Sequence, residues 1–297
     1  MELTLAPGEG ELLPGEPLAR HTTFRIGGPA RWFCRARTEE SLAKVLAAAD
    51  AGGSPLALLG MGSNILVSDE GFPGCVVRLE GDFLKIAIQD ETVIAGGGAA
   101  LGGVCAAAAR AGLSGIEAIS GIPSSIGGAV RINAGAYGGE IFDVLESARL
   151  VTRAGARREA AASEIPHGYR WSKLIETGEI VCSARLRLRA APVEEIRVKT
   201  RSVAEKRRGA LPSEPNAGSV FKNPPGDFAG RLIEACGLKG TREGGAAISE
   251  RHANVIVNSG NARAEDVLTL MRRMREAVRE KFGITLSLEV ELLGLKL

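Results

Sequence analysis

The stretch Leu-Ala-Leu-Leu-Gly-Met-Gly-Ser-Asn-Ile-Leu-Val, residues 56–67, joins two short apolar segments through a glycine-rich loop. Residues 56–59 and 65–67 are too short for helices and are typical of buried strands. A dinucleotide-binding loop of the doubly wound kind leads into a helix, whereas this loop leads directly into a second strand. The stretch therefore predicts an α+β fold with close-set strands.

The segments on either side extend this mixture of helices and strands. Predicted helices cover residues 38–51, 101–111, 193–208, 228–236 and 267–282. Predicted strands cover residues 56–59, 65–67, 76–79, 86–88, 92–95, 180–190, 254–257 and 284–291. Residues 112–139 are dense in glycine, so we expect a long, ordered loop system there.

Composition indicates a soluble globular protein. The 297 residues are 45% hydrophobic and 24% charged, and the net charge of +2 gives no reason to expect a nucleic-acid partner. Aromatic residues make up only 4%, which argues against stacking platforms for single strands. The first 20 residues lack an apolar core and no apolar run could span a bilayer, so we expect neither a signal peptide nor a membrane partner.

The five cysteines are scattered and never occur in Cys-x-x-Cys spacing. This pattern argues against a disulfide framework and a zinc site, and it favours a reducing cytoplasm. His21, His167 and His252 show no metal-ligand spacing either. We therefore expect a cytoplasmic protein without a metal site.

Three glycine-rich loops could hold a phosphate-bearing ligand. They are Gly60-Met-Gly-Ser-Asn64, Gly96-Gly-Gly98 and Gly121-Ile-Pro-Ser-Ser-Ile-Gly-Gly128, and Asn133-Ala-Gly135 follows the last. Consecutive backbone N–H groups in such loops suit a pyrophosphate. Glycines also serve ordinary turns, so the pattern alone leaves both interpretations open.

A polar segment, Asn-Ala-Gly-Ser-Val-Phe-Lys-Asn-Pro at residues 216–224, brings a hydroxyl, an ammonium and a carboxamide together. Ser219 lies outside any Gly-x-Ser-x-Gly elbow and has no neighbouring histidine as a base. We therefore expect Ser219 to donate a proton if it acts chemically. Arg170 could neutralise a carboxylate, and Glu289 lies on the polar side of a predicted strand. A surface ion pair and a solvated glutamate are the plainer alternatives for these two.

Together these motifs resemble the UDP-N-acetylenolpyruvoylglucosamine reductase family, also called UDP-N-acetylmuramate dehydrogenase. The matching segments are residues 21–29, 62–66, 115–117, 121–123, 133–138, 169–170, 216–224, 237–240, 249–254 and 288–290. No long insertion follows Tyr169-Arg170, so the chain is similar to the shorter subtype.

The resemblance implies a two-subdomain FAD-binding module of the vanillyl-alcohol-oxidase/PCMH type followed by a C-terminal α+β substrate domain. We expect FAD-binding subdomains at residues 1–75 and 76–200 and a substrate-binding domain at 201–297, with Pro192 near the last boundary. FAD would be non-covalent, because residues 62–64 offer no His or Cys as a tether. NADPH would be the reductant and would occupy the substrate pocket in turn with the substrate.

The implied reaction reduces the enolpyruvyl ether of UDP-N-acetylglucosamine to UDP-N-acetylmuramate, a peptidoglycan precursor. Hydride would add to the methylene carbon, Ser219 would protonate the adjacent carbon, and Arg170 and Glu289 would hold and polarise the carboxylate. The implied substrate contacts are Tyr169, Arg207, Lys222, Asn223 and His252. The implied FAD contacts are Gly60, Gly62, Ser63, Asn64, Ile65, Gly121, Ile122, Pro123, Ser124, Ser125, Gly128, Ala129, Asn133 and Gly135. We expect a monomer.

The chain departs from the family pattern at three places. Ser124 replaces an expected Gly, Arg131-Ile132 replaces an expected Met, and Leu211 replaces a common Gln. These changes put ligand affinity in doubt and leave the three catalytic positions intact. The rival hypotheses are another FAD oxidoreductase of the same fold and a catalytically silent protein that binds flavin or a sugar nucleotide.

Overall fold

The computed structural model describes residues 4–6 and 8–297. Part of the N-terminal stretch for which we expect no signal peptide lies outside them. The helices are α1 (Glu39–Ala51), α2 (Leu101–Arg110), α3 (Ile126–Ile132), α4 (Leu174–Thr177), α5 (Val193–Ala210), α6 (Ala229–Ala235) and α7 (Ala264–Phe282).

The strands are β1 (Gly10–Pro17), β2 (Pro29–Ala36), β3 (Leu56–Leu58), β4 (Ile65–Val67), β5 (Phe72–Leu79), β6 (Ile86–Gln89), β7 (Thr92–Gly96), β8 (Leu113–Ser114), β9 (Gly135–Ala136), β10 (Gly139–Glu140), β11 (Leu145–Val151), β12 (Arg157–Ala161), β13 (His167–Gly168), β14 (Trp171–Ser172), β15 (Ile180–Arg187), β16 (Arg189–Ala190), β17 (Asn216–Ser219), β18 (Arg242–Glu243), β19 (Ala246–Ile248), β20 (Val255–Asn258) and β21 (Glu291–Leu293). None of the helices within residues 4–6 and 8–297 combines the length and the apolar character needed to cross a membrane.

The chain forms two compact units, each built from separated segments. Unit 1 comprises the residues up to 13, 32–61 and 74–207, and unit 2 comprises 14–31, 62–73 and 208–297. The predicted division at residues 75 and 200 stays a prediction.

The centre of unit 1 is an antiparallel sheet in the order β12-β11-β15-β7-β6. The predicted alternation of β15 is present: Ala184 and Leu186 are buried, and Arg185 and Arg187 point to the other side. Both arginines meet the carboxylate of Glu146, at 3.4 and 3.2 Å. The arginine face of this strand is therefore a partly solvated ion-pair network.

Unit 1 also holds most of a second sheet, in the order β1-β2-β5-β3, against which α1 supplies apolar side chains. The helix begins where the sequence predicts, because Oγ1 of Thr38 accepts a hydrogen bond from the N–H of Ser41 and Oγ of Ser41 accepts one from the N–H of Thr38. Leu42 and Val45 on its inner face are fully buried. This capping and burial fix the N-terminal boundary of α1.

The glycine-rich stretch at residues 112–139 contains a helix that the sequence does not predict. Ser125 caps α3 by accepting a 3.2 Å hydrogen bond from the N–H of Gly128. Ile126, Ala129 and Val130 are buried in the core of unit 1. Burial of this apolar face overrides the weak helix propensity of the glycines, so the prediction of a continuous loop system was wrong here.

Unit 2 is built around a four-stranded sheet in the order β17-β20-β19-β18. Val267, Met271 and Met274 of α7 are fully buried in its core. The carboxylate of Asp69 accepts from the N–H of Ala264 at 3.0 Å and so caps the start of α7. A parallel pair, β4 with β21, completes the unit.

The predicted closing strand over residues 284–291 is only partly correct. Leu286 and Val290 are buried as the alternation requires. The main chain forms one isolated bridge, between Phe221 and Leu288, and the regular ladder starts only at Glu291. The alternation over residues 284–291 predicts correctly which side chains are buried. It cannot predict strand pairing, because pairing depends on a segment that is distant in the sequence.

Candidate active site

Arg170 lies at the tip of a short hairpin in unit 1, between β13 and β14. Its backbone is left-handed, with φ 52°, which is uncommon for a residue with a side chain. One Nη donates to the carbonyl of Gly135 at 2.5 Å, and the guanidinium lies 4.9 Å from the ring centroid of Tyr169. The guanidinium is therefore held in one orientation by main chain and aromatic contacts.

Glu140 and Asn133 complete the surroundings of Arg170. A carboxylate oxygen of Glu140 lies 3.8 Å from Nη1 of Arg170, and the other accepts from Nδ2 of Asn133 at 2.7 Å. Asn133 is fully buried, and its amide also donates to Gly168 and accepts from Phe142. The side-chain amide of Asn133 is thus already hydrogen-bonded to residues of unit 1, which leaves its main chain for an FAD contact. The predicted FAD contact of Asn133 stays a prediction.

The glycine loops of unit 1 pack against one another. The N–H of Gly127 donates to the carbonyl of Gly97 at 2.8 Å, and that of Ile126 donates to Ala99 at 2.9 Å. A Cβ at Gly60 would lie only 2.5 Å from Oγ of Ser125. The structure thus brings the end of the β3 strand together with the loops at residues 96–98 and 121–128.

Arg207 packs against the same glycine-rich loop. A Cβ at Gly121 would lie 2.8 Å from Cδ of Arg207, so only glycine fits there without displacing the arginine. Burial lowers the pKa of the Arg207 guanidinium from its ordinary value, which still leaves it protonated at neutral pH. In the described part of the chain no carboxylate forms an ion pair with Arg207. Such a half-buried cation is suited to an anionic ligand.

Ser219 ends β17 in unit 2, opposite Val255 of β20. Gly218, with φ 73°, and the side chain of Asn216, which accepts from the N–H of Gly218 at 2.8 Å, shape an irregularity just before it. Ser219 is partly exposed, and its hydroxyl forms no hydrogen bond with any of the residues that the structure describes. The hydroxyl is therefore available to a ligand.

Asn254 is a supporting residue whose role the sequence did not reveal. Its buried side chain accepts from the N–H of Phe221 at 3.0 Å and donates to the carbonyl of Phe221 at 2.7 Å. Its own carbonyl accepts from the N–H of Val220 at 2.9 Å. This arrangement fixes the main chain directly after Ser219 as a strand neighbour would.

Glu289 lies close to the same segment of unit 2. Its N–H donates to the carbonyl of Val220 at 2.9 Å, and the N–H of Lys222 donates to Ser287 at 2.8 Å. The carbonyl of Glu289 accepts from Nδ2 of Asn64 at 3.0 Å. The predicted catalytic residues Ser219 and Glu289 and the predicted substrate residue Lys222 thus belong to two segments joined by main-chain hydrogen bonds.

Asn223 and His252 both lie beside α6. Oδ1 of Asn223 accepts from the N–H of Ala229 at 3.0 Å. Nδ1 of His252 accepts from the N–H of Asn254 at 3.3 Å, and a Cβ at Gly230 would lie 3.2 Å from its ring. Burial, followed by the charge of Lys239, lowers the pKa of His252, so the ring is neutral at pH 7. The predicted substrate contacts of both residues stay predictions.

The loop at residues 62–65 combines a tightly packed glycine with main-chain N–H groups that could bind a diphosphate. Gly62 has φ 65°, and a Cβ there would lie 2.1 Å from the carbonyl oxygen of His21. Within the residues described, the N–H groups of Gly62 and Asn64 donate to no protein acceptor. Small residues with unused N–H groups fit the diphosphate of a dinucleotide.

Across residues 4–6 and 8–297, no group of three or more His, Cys, Asp or Glu side chains could hold a metal ion. All five cysteines are free thiols.

Comparison with known proteins shows the family to which the chain belongs. A family model described as UDP-N-acetylenolpyruvoylglucosamine reductase, C-terminal domain, matches residues 211–293, and an FAD binding domain model matches residues 30–161. A reductase of this name from Symbiobacterium thermophilum is 44% identical over 96% of this chain and 93% of its own. The chain belongs to the UDP-N-acetylenolpyruvoylglucosamine reductase family.

Other members of the family agree along the whole length. The reductase of Moorella thermoacetica is 43% identical over 99% of both chains. The crystal structure of UDP-N-acetylenolpyruvylglucosamine reductase from Thermus caldophilus superposes with a TM-score of 0.82 at 43% identity, covering 95% of this chain and 98% of that one. The resemblance and the fold class predicted from the motifs are therefore confirmed. The roles assigned to individual site residues stay predictions.

Proposed function

We propose that the chain reduces the enolpyruvyl ether of UDP-N-acetylglucosamine to UDP-N-acetylmuramate for peptidoglycan synthesis. Membership of the reductase family over nearly the full chain carries this proposal. FAD is the cofactor, in accord with the FAD binding domain at residues 30–161, and NADPH is the reductant. The substrate is thus a small UDP-sugar.

Bound FAD supplies the hydride that adds to the enolpyruvyl double bond. The residues proposed to hold its diphosphate and neighbouring atoms are Gly60, Gly62, Ser63, Asn64, Ile65, Gly121, Ile122, Pro123, Ser124, Ser125, Gly128, Ala129, Gly135 and, through its main chain, Asn133. Ser124, which replaces an expected glycine, turns its hydroxyl to the carbonyl of Ser125 at 2.9 Å. Because this hydrogen bond stays within the loop, it supports the proposal that the loop can still bind a diphosphate with Ser124 in place of glycine.

Ser219 is the proposed proton donor. Its hydroxyl is accessible, and the rigid main chain around Phe221 and Asn254 holds it in place. A serine hydroxyl is a weak acid, so transfer of its proton requires strong stabilisation of the charge that develops on the substrate.

Arg170 and Glu289 are the proposed partners of the substrate carboxylate. A guanidinium can hold a carboxylate through two hydrogen bonds, and a nearby acid can share a proton with the developing enolate. Tyr169, Arg207, Lys222, Asn223 and His252 are the proposed contacts for the remainder of the substrate. Arg207, a half-buried cation, suits one of its phosphates.

A turnover assay tests the proposed function. We expect the purified protein to be yellow and to oxidise NADPH rapidly only when the enolpyruvyl sugar nucleotide is present. A protein that cannot be loaded with flavin would refute the proposal. Oxidation of NADPH at the same rate with oxygen alone would instead favour an oxidase of the same fold.

The Ser219→Ala variant tests the proton donor. Flavin reduction by NADPH should keep its rate, while flavin reoxidation by the substrate should fall by about 100-fold or more. An equal loss in both half-reactions would assign Ser219 a structural role instead.

We propose a monomer in the cytoplasm, with subdomains that divide near residues 75 and 200. Sedimentation of the purified protein at several concentrations tests the monomer.

A further inference from the structure

The guanidinium of Arg170 is surrounded by two hairpins of unit 1, β9-β10 and β13-β14. We propose that Glu140 and Asn133 act as a positioning pair that aligns Arg170 for the substrate carboxylate. This inference rests on the proposed role of Arg170 and extends it to two residues that are not expected to touch the substrate through their side chains.

The guanidinium of Arg170 contacts both strands of the β9-β10 hairpin. The carboxylate of Glu140 lies 3.8 Å from Nη1 of Arg170, and the carbonyl of Gly135 accepts from Nη2 at 2.5 Å. Glu140 and Gly135 face each other across the hairpin, and a Cβ at Gly135 would lie 2.7 Å from Cγ of Glu140 and 3.1 Å from Nη1 of Arg170. Glycine at this position therefore lets the carboxylate and the guanidinium approach the same stretch of main chain.

Glu140 is itself fixed by the side chain of Asn133. Nδ2 of Asn133 donates to Glu140 at 2.7 Å and to the carbonyl of Gly168 at 3.0 Å. Gly168 belongs to the hairpin that carries Arg170, so one amide links both hairpins. Asn133 is 0% exposed and has φ 46°, a conformation that asparagine tolerates better than most residues. The link is thus rigid.

The charge of Glu140 acts on the same guanidinium as the charge of the substrate. A carboxylate beside Arg170 competes with the carboxylate of the substrate, so Glu140 weakens binding of the anion rather than strengthening it. The 3.8 Å between Oε1 of Glu140 and Nη1 of Arg170 is beyond hydrogen-bond distance, so this carboxylate oxygen orients the guanidinium through its charge. A residue of this kind contributes to the rate of reduction and not to ground-state affinity.

The test starts with Glu140→Gln, which keeps an acceptor for Asn133 and removes the charge that faces Arg170. In the FAD-loaded enzyme, we expect kcat for the enolpyruvyl substrate to fall about 10- to 100-fold while its KM stays equal or decreases. Flavin reduction by NADPH, melting temperature and FAD content should match the wild type. A rise in KM at constant kcat, or equal loss in both half-reactions, would overturn the inference.

Glu146→Gln is the matched control. Its carboxylate is exposed to the same degree as that of Glu140, 37% against 36%, and it also meets guanidinium groups in unit 1. This variant should keep the wild-type rates within about twofold. A similar loss in both variants would show a general effect of removing a carboxylate and would overturn the inference.

A double-mutant cycle connects the effect to Arg170. Glu140→Gln should have little further effect in an Arg170→Lys background, because the group that it positions has already changed. Full additivity would overturn the inference. If Arg170→Lys and Arg170→Ala both leave reoxidation by the substrate intact, the proposed role of Arg170 fails. If both Arg170 variants slow flavin reoxidation by the substrate and Glu140→Gln does not, only the positioning inference fails.

Asn133→Gly provides a second variant should Glu140→Gln fold poorly. Glycine keeps the left-handed main chain and removes the amide that fixes Glu140. As for Glu140→Gln, we expect kcat to fall while KM stays equal or decreases. Combining Asn133→Gly with Glu140→Gln should lower kcat no further than either change alone. Full activity in Asn133→Gly would contradict the positioning pair.

Discussion

The main-chain N–H of Glu289 donates a 2.9 Å hydrogen bond to the carbonyl of Val220, the residue directly after Ser219. Two segments of unit 2 are thereby held side by side, although the bonded residues lie 69 positions apart. The geometry around the proposed proton donor thus depends on the last part of the chain as much as on the serine motif itself.

Replacement of the Glu289 side chain tests its proposed role at the substrate carboxylate. Glu289→Gln keeps the main-chain bond and removes the carboxylate, so we expect flavin reoxidation by the substrate to slow about 100-fold or more. Glu291→Gln, two positions further along, should stay within about twofold of the wild type. Rapid-mixing measurements of the two half-reactions make the comparison, and equal effects of both changes would refute a specific role for Glu289.

Gly62→Ala should disrupt the loop proposed to hold FAD. A left-handed alanine costs about 1–2 kcal/mol, and its Cβ would in addition lie 2.1 Å from the carbonyl of His21. Gly15 has nearly the same φ, 67° against 65°, with no atom within 4 Å of an added Cβ. Gly15→Ala should therefore show only the conformational cost.

Urea unfolding and flavin retention on gel filtration separate the two glycine variants. We expect Gly62→Ala to lose more stability than Gly15→Ala and to release FAD. Equal stability and equal flavin content would show that the close approach at Gly62 has no consequence.

His252 should make stability depend on pH. Burial lowers its pKa in the folded chain, so the unfolded chain binds the proton more readily. The stability contributed by neutral His252 is present above the unfolded pKa of about 6.5 and is lost as the pH falls through the folded pKa. Below pH 6.5, the wild type should lose stability more steeply than His252→Gln.

Denaturant unfolding between pH 7 and pH 5 measures this difference in slope. His167→Gln is the control, since it removes an exposed histidine from unit 1. Parallel pH profiles for the wild type and His252→Gln would refute the prediction.

The thiols should divide into one reactive group and four protected groups. Burial raises the pKa of Cys34, Cys105 and Cys182 to about 12 and that of Cys75 to about 11. Only Cys236 is partly exposed. Because the thiolate is the nucleophile, a thiol reagent such as DTNB should titrate one group rapidly in the native protein and all five after denaturation.

Cys236→Ser should abolish the rapid thiol reaction. A second rapid group in this variant would show that one of the buried cysteines becomes accessible without global unfolding.

The sequence predicted most clearly those elements whose signals are local. α7 has a continuous apolar stripe and ends at Gly283, with φ 69°, as its pattern indicates. The loop at residues 60–64 was located correctly between two strands because apolar runs flank it. In both cases, burial and termination are encoded within one short window.

Other features could not be predicted, because they depend on distant partners. The glycines around α3 hide a helix that only its burial stabilises, and residues 284–290 pair with a segment near Phe221 that local alternation cannot identify. The role of Glu140 depends on a fold that brings Asn133 and Arg170 to it. A glutamate that follows two glycines in the sequence gives no sign of these contacts.

The parallel pair of β4 and β21 has a consequence for the order of events during synthesis. Residues 65–67 emerge from the ribosome long before their partners at residues 291–293. Unit 1 has all of its segments by residue 207, but the unit that carries Ser219 cannot close before residues 291–293 have been synthesised. A truncated or stalled chain would therefore present an unfinished strand edge beside Asn64, a target for chaperones or proteases rather than a partly active enzyme.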